Sequence, residues 1–257
     1  MSWLDVSDRD AVRTLTISRP ERLNAIPTDG WTTLTDAFEA FEASDARVLV
    51  LRGEGGDFCA GADVGDQVEP GGVADAKRRM KVTSGAAMAL HRITKPTIAV
   101  VDGVAAGAGL NMALGCDVVL ASARARFSEI FVRRGLTLDF GGSWLLPRVV
   151  GLQRAKDLAL SGRVVDADEA LRLGLCLDVV DPADIEARVT EQIHRFLAGA
   201  PVAQMFAKQG IHHAWDVSFA DALDWEGQSQ AICFGTSDFV EGVVSFRQKR
   251  PPEFQGR

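Results

Sequence analysis

One acid in this chain stands in surroundings that could make it a proton carrier. In FVRRGLTLDFGGSW, residues 131–144, Asp139 lies between an apolar run and a glycine pair. Its neighbours Leu136, Leu138 and Phe140 would raise its pKa by desolvation if the carboxyl is buried. A carboxyl tuned that way can take a proton from one carbon and return it to another. The same residues also read as an Asp-Phe-Gly-Gly turn in which Asp139 caps a helix over 141–149. Two other segments, CAGAD at 59–63 and AAGAG at 105–109, put small residues at strand–helix junctions, where another molecule can approach the main chain closely. Helix starts leave N–H groups unpaired and favour negative charge. If the amides of the two turns converge, they could hold a developing oxyanion, an interaction worth about 3–4 kcal/mol per donor. Tight packing explains either turn alone; a pair, each after a buried strand, points to function.

Other chemistries find little support. GAG at 107–109 begins like a dinucleotide fingerprint, but Met112 occupies the third glycine position and no acid follows a second strand at the required spacing. P-loop and G-x-S-x-G patterns are absent. Cys59, Cys116, Cys176 and Cys233 are widely spaced, which reads as reduced thiols in a reducing compartment. The four histidines form no H-x-x-x-H or Cys/His cluster, so no metal is expected.

The elements that must position these residues are short β-rich runs alternating with helical patterns. AVRTLTI (11–17) alternates as a strand with one wet face. Trp31, Leu34, Phe38 and Phe41 share one face of a following helix. RVLVLRG (47–53) and PTIAVVDG (96–103) read as buried strands ending in glycine, and CDVVLAS (116–122) as another. The sequels to the first two repeat a strand, glycine turn, small residues and helix, as in a coil of stacked turns without a strict solenoid period. From about residue 150 amphipathic helical patterns take over, separated by Gly, Pro or Asp. Only GLCLDVV (174–180) interrupts them as a strand. The expected division is an α/β core over 1–200 and a helical C-terminal segment over 201–257.

The 257 residues are 47% hydrophobic, enough for a substantial core. A net charge of −7 argues against nucleic-acid binding. No apolar run approaches the roughly 18–20 residues of a membrane span, and MSWLDVSDRD lacks export features, so a cytoplasmic location is expected.

RPERLNAI (19–26), GGDFCAGADV (55–64), KPTIAVVDGVAAGAGLNMALGCDVVLAS (95–122), GLTLDFGGSWLLPRVVG (135–151) and DFVEGVVSFRQKRPPEFQGR (238–257) together resemble the enoyl-CoA hydratase/isomerase family, or crotonase superfamily. The resemblance implies an α/β, crotonase-like spiral of ββα units with a helical C-terminal region, assembled as a homotrimer or a dimer of trimers. It implies an acyl-CoA substrate and no separate cofactor, coenzyme A being part of the thioester. The thioester oxygen would lie between the amides of Ala62 and Ala108. Arg22, Leu23 and Ala25 fall where the family contacts CoA phosphates and adenine, and Ala60, Asp63 and Val64 where it lines the adenine and pantetheine path. Phe246 and Lys249 lie in the tail segment that contacts CoA in many members. Asp63 reads as an N-cap or loop anchor before it reads as an acid.

Family hydratases use two glutamates, one to activate water and one to deliver a proton. Their positions hold Asn111 and Phe131 here, both counted with the substrate-binding residues. Asn111 could orient substrate or water but cannot carry a proton. Glu129 lies two residues before the second position; on a helix that offset turns a side chain by roughly 200°, which gives it a surface or salt-bridging reading. GL-x-x-D-x-G resembles family isomerases in which an aspartate faces the acyl chain. Asp139 is therefore the expected acid/base of an enoyl-CoA isomerase. Its rivals are a hydratase recruiting Glu129 or another acid, and a non-catalytic acyl-CoA-binding homologue.

Overall fold

The computed structural model describes residues 3–63, 65 and 72–257. The chain divides into two compact units, Met1–Ile93 with Thr97–Thr190, and Thr94–Pro96 with Glu191–Arg257.

The first unit holds all nine strands found among the described residues: β1 (Leu4–Arg9), β2 (Val12–Ile17), β3 (Val48–Gly53), β4 (Thr97–Val101), β5 (Val104–Ala106), β6 (Val118–Ser122), β7 (Arg126–Ser128), β8 (Val164–Asp166) and β9 (Asp178–Val180). Its helices are α1 (Gly30–Glu42), α2 (Val73–Arg92), α3 (Ala108–Leu114), α4 (Gly142–Val150), α5 (Leu152–Ser161) and α6 (Ala167–Leu173). One sheet runs β1-β2-β3-β4-β6-β9, antiparallel only at β1/β2, and a smaller one runs β5-β7-β8. The chain steps between the sheets at tight corners: β4 turns at Asp102–Gly103 into β5, and β6 turns into β7. Val104 pairs with Arg126 in parallel register, so successive corners stack. The Arg126 N–H donates to Gly103 O (2.9 Å) and Ser122 Oγ to Asp102 O (2.8 Å), which ties one corner to the next.

Every residue of β4 is buried, as its unbroken apolar run requires. Trp31, Leu34, Phe38 and Phe41 are buried on one face of α1, as their spacing predicts. The expected strand over 174–180 shortens to β9, because Gly174 takes a left-handed conformation (φ 83°) and ends α6. β1 is an edge strand exposing all but Leu4, so it carries no apolar signal.

Helix α7 (Ile185–Leu197) spans the boundary between the units. Within the second unit, α8 (Pro201–His213), α9 (Phe219–Phe234) and α10 (Ser237–Gln248) follow, and buried Asp238 accepts from the amides of Gln255 (2.7 Å) and Gly256 (2.8 Å). That clamp folds the proline-containing tail back onto the start of α10. No helix among the described residues is long and apolar enough to cross a membrane.

Candidate active site

The two small-residue turns meet. Cys59 bridges Ala105 in parallel pairing, and the Ala106 N–H donates to Cys59 O at 2.9 Å. A Cβ on Gly61 would lie 2.9 Å from Ala106 O and 3.2 Å from Ala108 N; one on Gly109 would lie 2.1 Å from Cys59 O. Only hydrogen-sized side chains permit that approach, and Gly61 (φ 94°) and Gly107 (φ 55°) also need the left-handed backbone region. Neither the Ala62 nor the Ala108 amide donates to a main-chain carbonyl among the described residues. Both remain open to an acceptor.

The 19–26 loop lies against the first turn. Leu23 and Asn24 adopt left-handed conformations (φ 52° and 56°), and the Leu23 carbonyl accepts from the Ala60 N–H at 3.0 Å. The Ala25 N–H donates to Arg22 O (3.1 Å), and Ile26 donates to Gly61 O (2.8 Å). Asp63 Oδ2 pairs with the Arg19 guanidinium at 2.9 Å, which holds its carboxyl below the usual range, and Oδ1 accepts from the Gly65 N–H at 2.9 Å. Asp63 is thus a loop anchor, and Gly72 occupies the N-cap of α2. The structure brings Arg22, Leu23, Ala25, Ala60 and Asp63 together around this loop. Val64 lies outside the described residues. Phe246, 85% exposed on α10, and Lys249, its left-handed C-cap, belong to the second unit.

Beyond the second turn, α3 leads to the acids. Asn111, fully buried, donates its Nδ2 to the Asp139 carbonyl at 2.9 Å and approaches Glu129 Oε2 at 3.5 Å. Asp139 does not cap the next helix: Gly141 is the N-cap of α4, without a side-chain hydrogen bond, and the Asp139 main-chain oxygen receives the Gly142 N–H at 2.9 Å. The left-handed pair Phe140 (φ 48°) and Gly141 (φ 82°) turns the chain and leaves the Asp139 side chain half-buried, with Oδ1 unpaired. Burial raises its pKa to about 6. Phe140 is itself core, packed on Trp31 with ring centroids 5.6 Å apart. Phe131 is also buried, and a Cβ on Gly107 would touch its ring tip at 3.5 Å.

Glu129 overturns its surface or salt-bridging reading. It is 1% exposed and takes part in no ion pair among the described residues; its Oε1 has no partner. Desolvation first, and the nearby Asp139 charge in addition, push its pKa up to about 8 against the opposing hydrogen bond from Asn111. The rotation argument fails because residue 129 follows strand β7 and precedes a short 3-10 helix (Ile130–Arg134). Burial here does not alternate, since Phe127, Ser128, Glu129 and Phe131 are all buried, so no simple period in the sequence marks Glu129. Among the described residues no group of three or more His, Cys, Asp or Glu could hold a metal.

A coil of ββα turns, with two glycine-bearing turns in contact and one buried and one half-buried carboxyl joined through Asn111, defines a crotonase-fold enzyme. The solved structure of an enoyl-CoA hydratase from Mycobacterium smegmatis superposes with a TM-score of 0.93 at 28% identity, covering 99% of each chain. The family model described as enoyl-CoA hydratase/isomerase matches residues 7–257, and the chain belongs to that family. It is 39% identical over 251 residues to 1,2-epoxyphenylacetyl-CoA isomerase of Escherichia coli (strain K12), covering 96% of this chain and 95% of the relative. It is also 34% identical over 245 residues to the short-chain-enoyl-CoA hydratase of Clostridium acetobutylicum, covering 94% and 93%.

Proposed function

We propose that this member isomerises an enoyl-CoA by a 1,3-proton shift, with Asp139 as acid/base and the Ala62 and Ala108 amides as the oxyanion hole. The observation that carries this reading is the half-buried Asp139 carboxyl, uncapped, with one unpaired oxygen and a pKa raised to about 6, tied through Asn111 to the helix that starts at Ala108. As the carboxylate it removes a proton beside the thioester carbonyl. The enolate concentrates negative charge on one oxygen, which fixed amides stabilise more than the neutral ground state. Residues Arg22, Leu23, Ala25, Ala60, Asp63 and Val64 would hold coenzyme A as part of the substrate.

Hydration is the second reading, favoured by Glu129, whose buried carboxyl could deliver a proton while Asp139 activates water. Assaying crotonyl-CoA hydration beside 3-enoyl-CoA isomerisation separates the two. Asp139→Asn should lose turnover by at least about 100-fold, the scale of general acid–base catalysis, and still bind acyl-CoA. Retained turnover would remove Asp139 from the mechanism. A homotrimer or dimer of trimers is supported by exposed apolar residues of the second unit, Ile211, Trp215, Phe219 and Phe246 among them. The absence of a disulfide at any of the four cysteines supports a cytoplasmic setting.

A further inference from the structure

A carboxyl buried for packing alone normally has both oxygens paired, because an unpaired polar group away from water costs stability. Glu129 breaks that rule, and it does so beside two others. Asn111 Oδ1, Glu129 Oε1 and Asp139 Oδ1 are all buried and without partners. Asn111 Nδ2 links the three residues, reaching Glu129 Oε2 at 3.5 Å and the Asp139 carbonyl at 2.9 Å. Three residues joined through one amide each keep an unpaired buried oxygen, and such oxygens are free to meet something other than the protein.

We infer that Glu129 is a second proton-carrying catalytic residue, a neutral carboxylic acid whose unpartnered Oε1 faces the reacting acyl chain and works with Asp139 across Asn111. The inference rests on the isomerase reading. In the forward direction the Asp139 carboxylate takes the α-proton of a 3-enoyl thioester. The Cα–H bond breaks, and its electron pair spreads through the dienolate onto the thioester oxygen. The Glu129 O–H then breaks as its proton bonds to Cγ, and the double bond comes to lie between Cα and Cβ. Asp139 is left protonated and Glu129 ionised; transfer of the proton from Asp139 to Glu129 restores both. No other reactant is consumed. The opposed protonation states suit the surroundings, since the more deeply buried acid keeps its proton to higher pH.

The test is trans-3-hexenoyl-CoA in D2O with wild type, Glu129→Gln and Asp139→Asn. Glutamine is nearly isosteric with the neutral acid but cannot deliver a proton. The Gln variant should form 2-hexenoyl-CoA at least about 100-fold more slowly. It should still wash deuterium into Cα of the recovered substrate, because Asp139 still removes that proton. This exchange also shows that the variant is folded and binds substrate. The Asn variant should do neither. Isomerisation by Glu129→Gln at the wild-type rate would overturn the inference and leave the Asp139 reading standing. Loss of exchange together with isomerisation would also overturn it, by making Glu129 structural or giving it an earlier role. Full turnover by Asp139→Asn would instead sink the isomerase reading beneath it.

Discussion

Replacing Glu129 by glutamine should make the protein more stable at neutral pH while disabling it. The carboxyl has a pKa near 8 in the folded protein, against an ordinary value of 4.5. A group whose folded pKa lies above its unfolded value binds its proton more tightly when folded. Its stabilising contribution is complete below about pH 4.5 and is lost progressively as pH rises to about 8. At about 1.4 kcal/mol per pH unit, wild type has given up about 3 kcal/mol by pH 7 but under 1 kcal/mol, roughly, by pH 5. Glutamine does not titrate, so it escapes this loss. Its amide inherits the same weak contact with Asn111 and the same unpaired atom, so the remaining terms roughly cancel. At about 2–4 °C per kcal/mol for a chain near this size, the variant should melt about 6–12 °C above wild type at pH 7 and within about 3 °C at pH 5. Thermal or urea unfolding of both proteins at pH 5, 7 and 8.5 measures this. A difference that does not grow with pH, or a variant less stable throughout, would refute the claim that burial keeps Glu129 neutral.

The pH profile of isomerisation should be bell-shaped. Activity rises as pH passes about 6, where Asp139 becomes the base, and falls near 8, where Glu129 loses the proton it must donate. In Glu129→Gln the residual rate should keep the acidic limb and lose the alkaline one; an alkaline fall that persists would assign that limb to another group. Gly61→Ala would push a methyl toward Ala106 O (2.9 Å) and Ala108 N (3.2 Å), spreading the two turns. A fall in kcat of about 100-fold or more is expected, the scale of losing one oxyanion donor, with a much smaller change in acyl-CoA binding. An unchanged kcat would show that the two amides do not act together.

Much of this site is legible one segment at a time. CAGAD and AAGAG announce close backbone approach because glycine and alanine have little other use after a buried strand, and Gly61 and Gly109 are tightly packed in the turns where they meet. Asp139 stands out through its apolar neighbours. The two readings of that aspartate, cap or acid, could not be separated without the Phe140–Gly141 turn, which hands the capping role to main-chain atoms. Glu129 was misplaced because a helical rotation was applied to a segment that is extended and then 3-10, where an offset of two residues from Phe131 does not carry a side chain to the surface. Edge strand β1 went unread because it exposes nearly all of its side chains.

By itself the sequence determined the family, the order of the ββα turns, the paired amide-bearing loops and one candidate acid. The family and the order of its turns came through the resemblance of five segments; the paired loops and the acid follow from local spacing, because burial periodicity and glycine placement are properties of neighbouring residues. Only the tertiary structure decided that the two turns touch and that Asn111 joins Asp139 to Glu129, and it alone showed that each of these three residues keeps an unpaired buried oxygen. Those facts depend on contacts between residues 18 to 28 positions apart or more in the chain, and on desolvation that no single segment can impose.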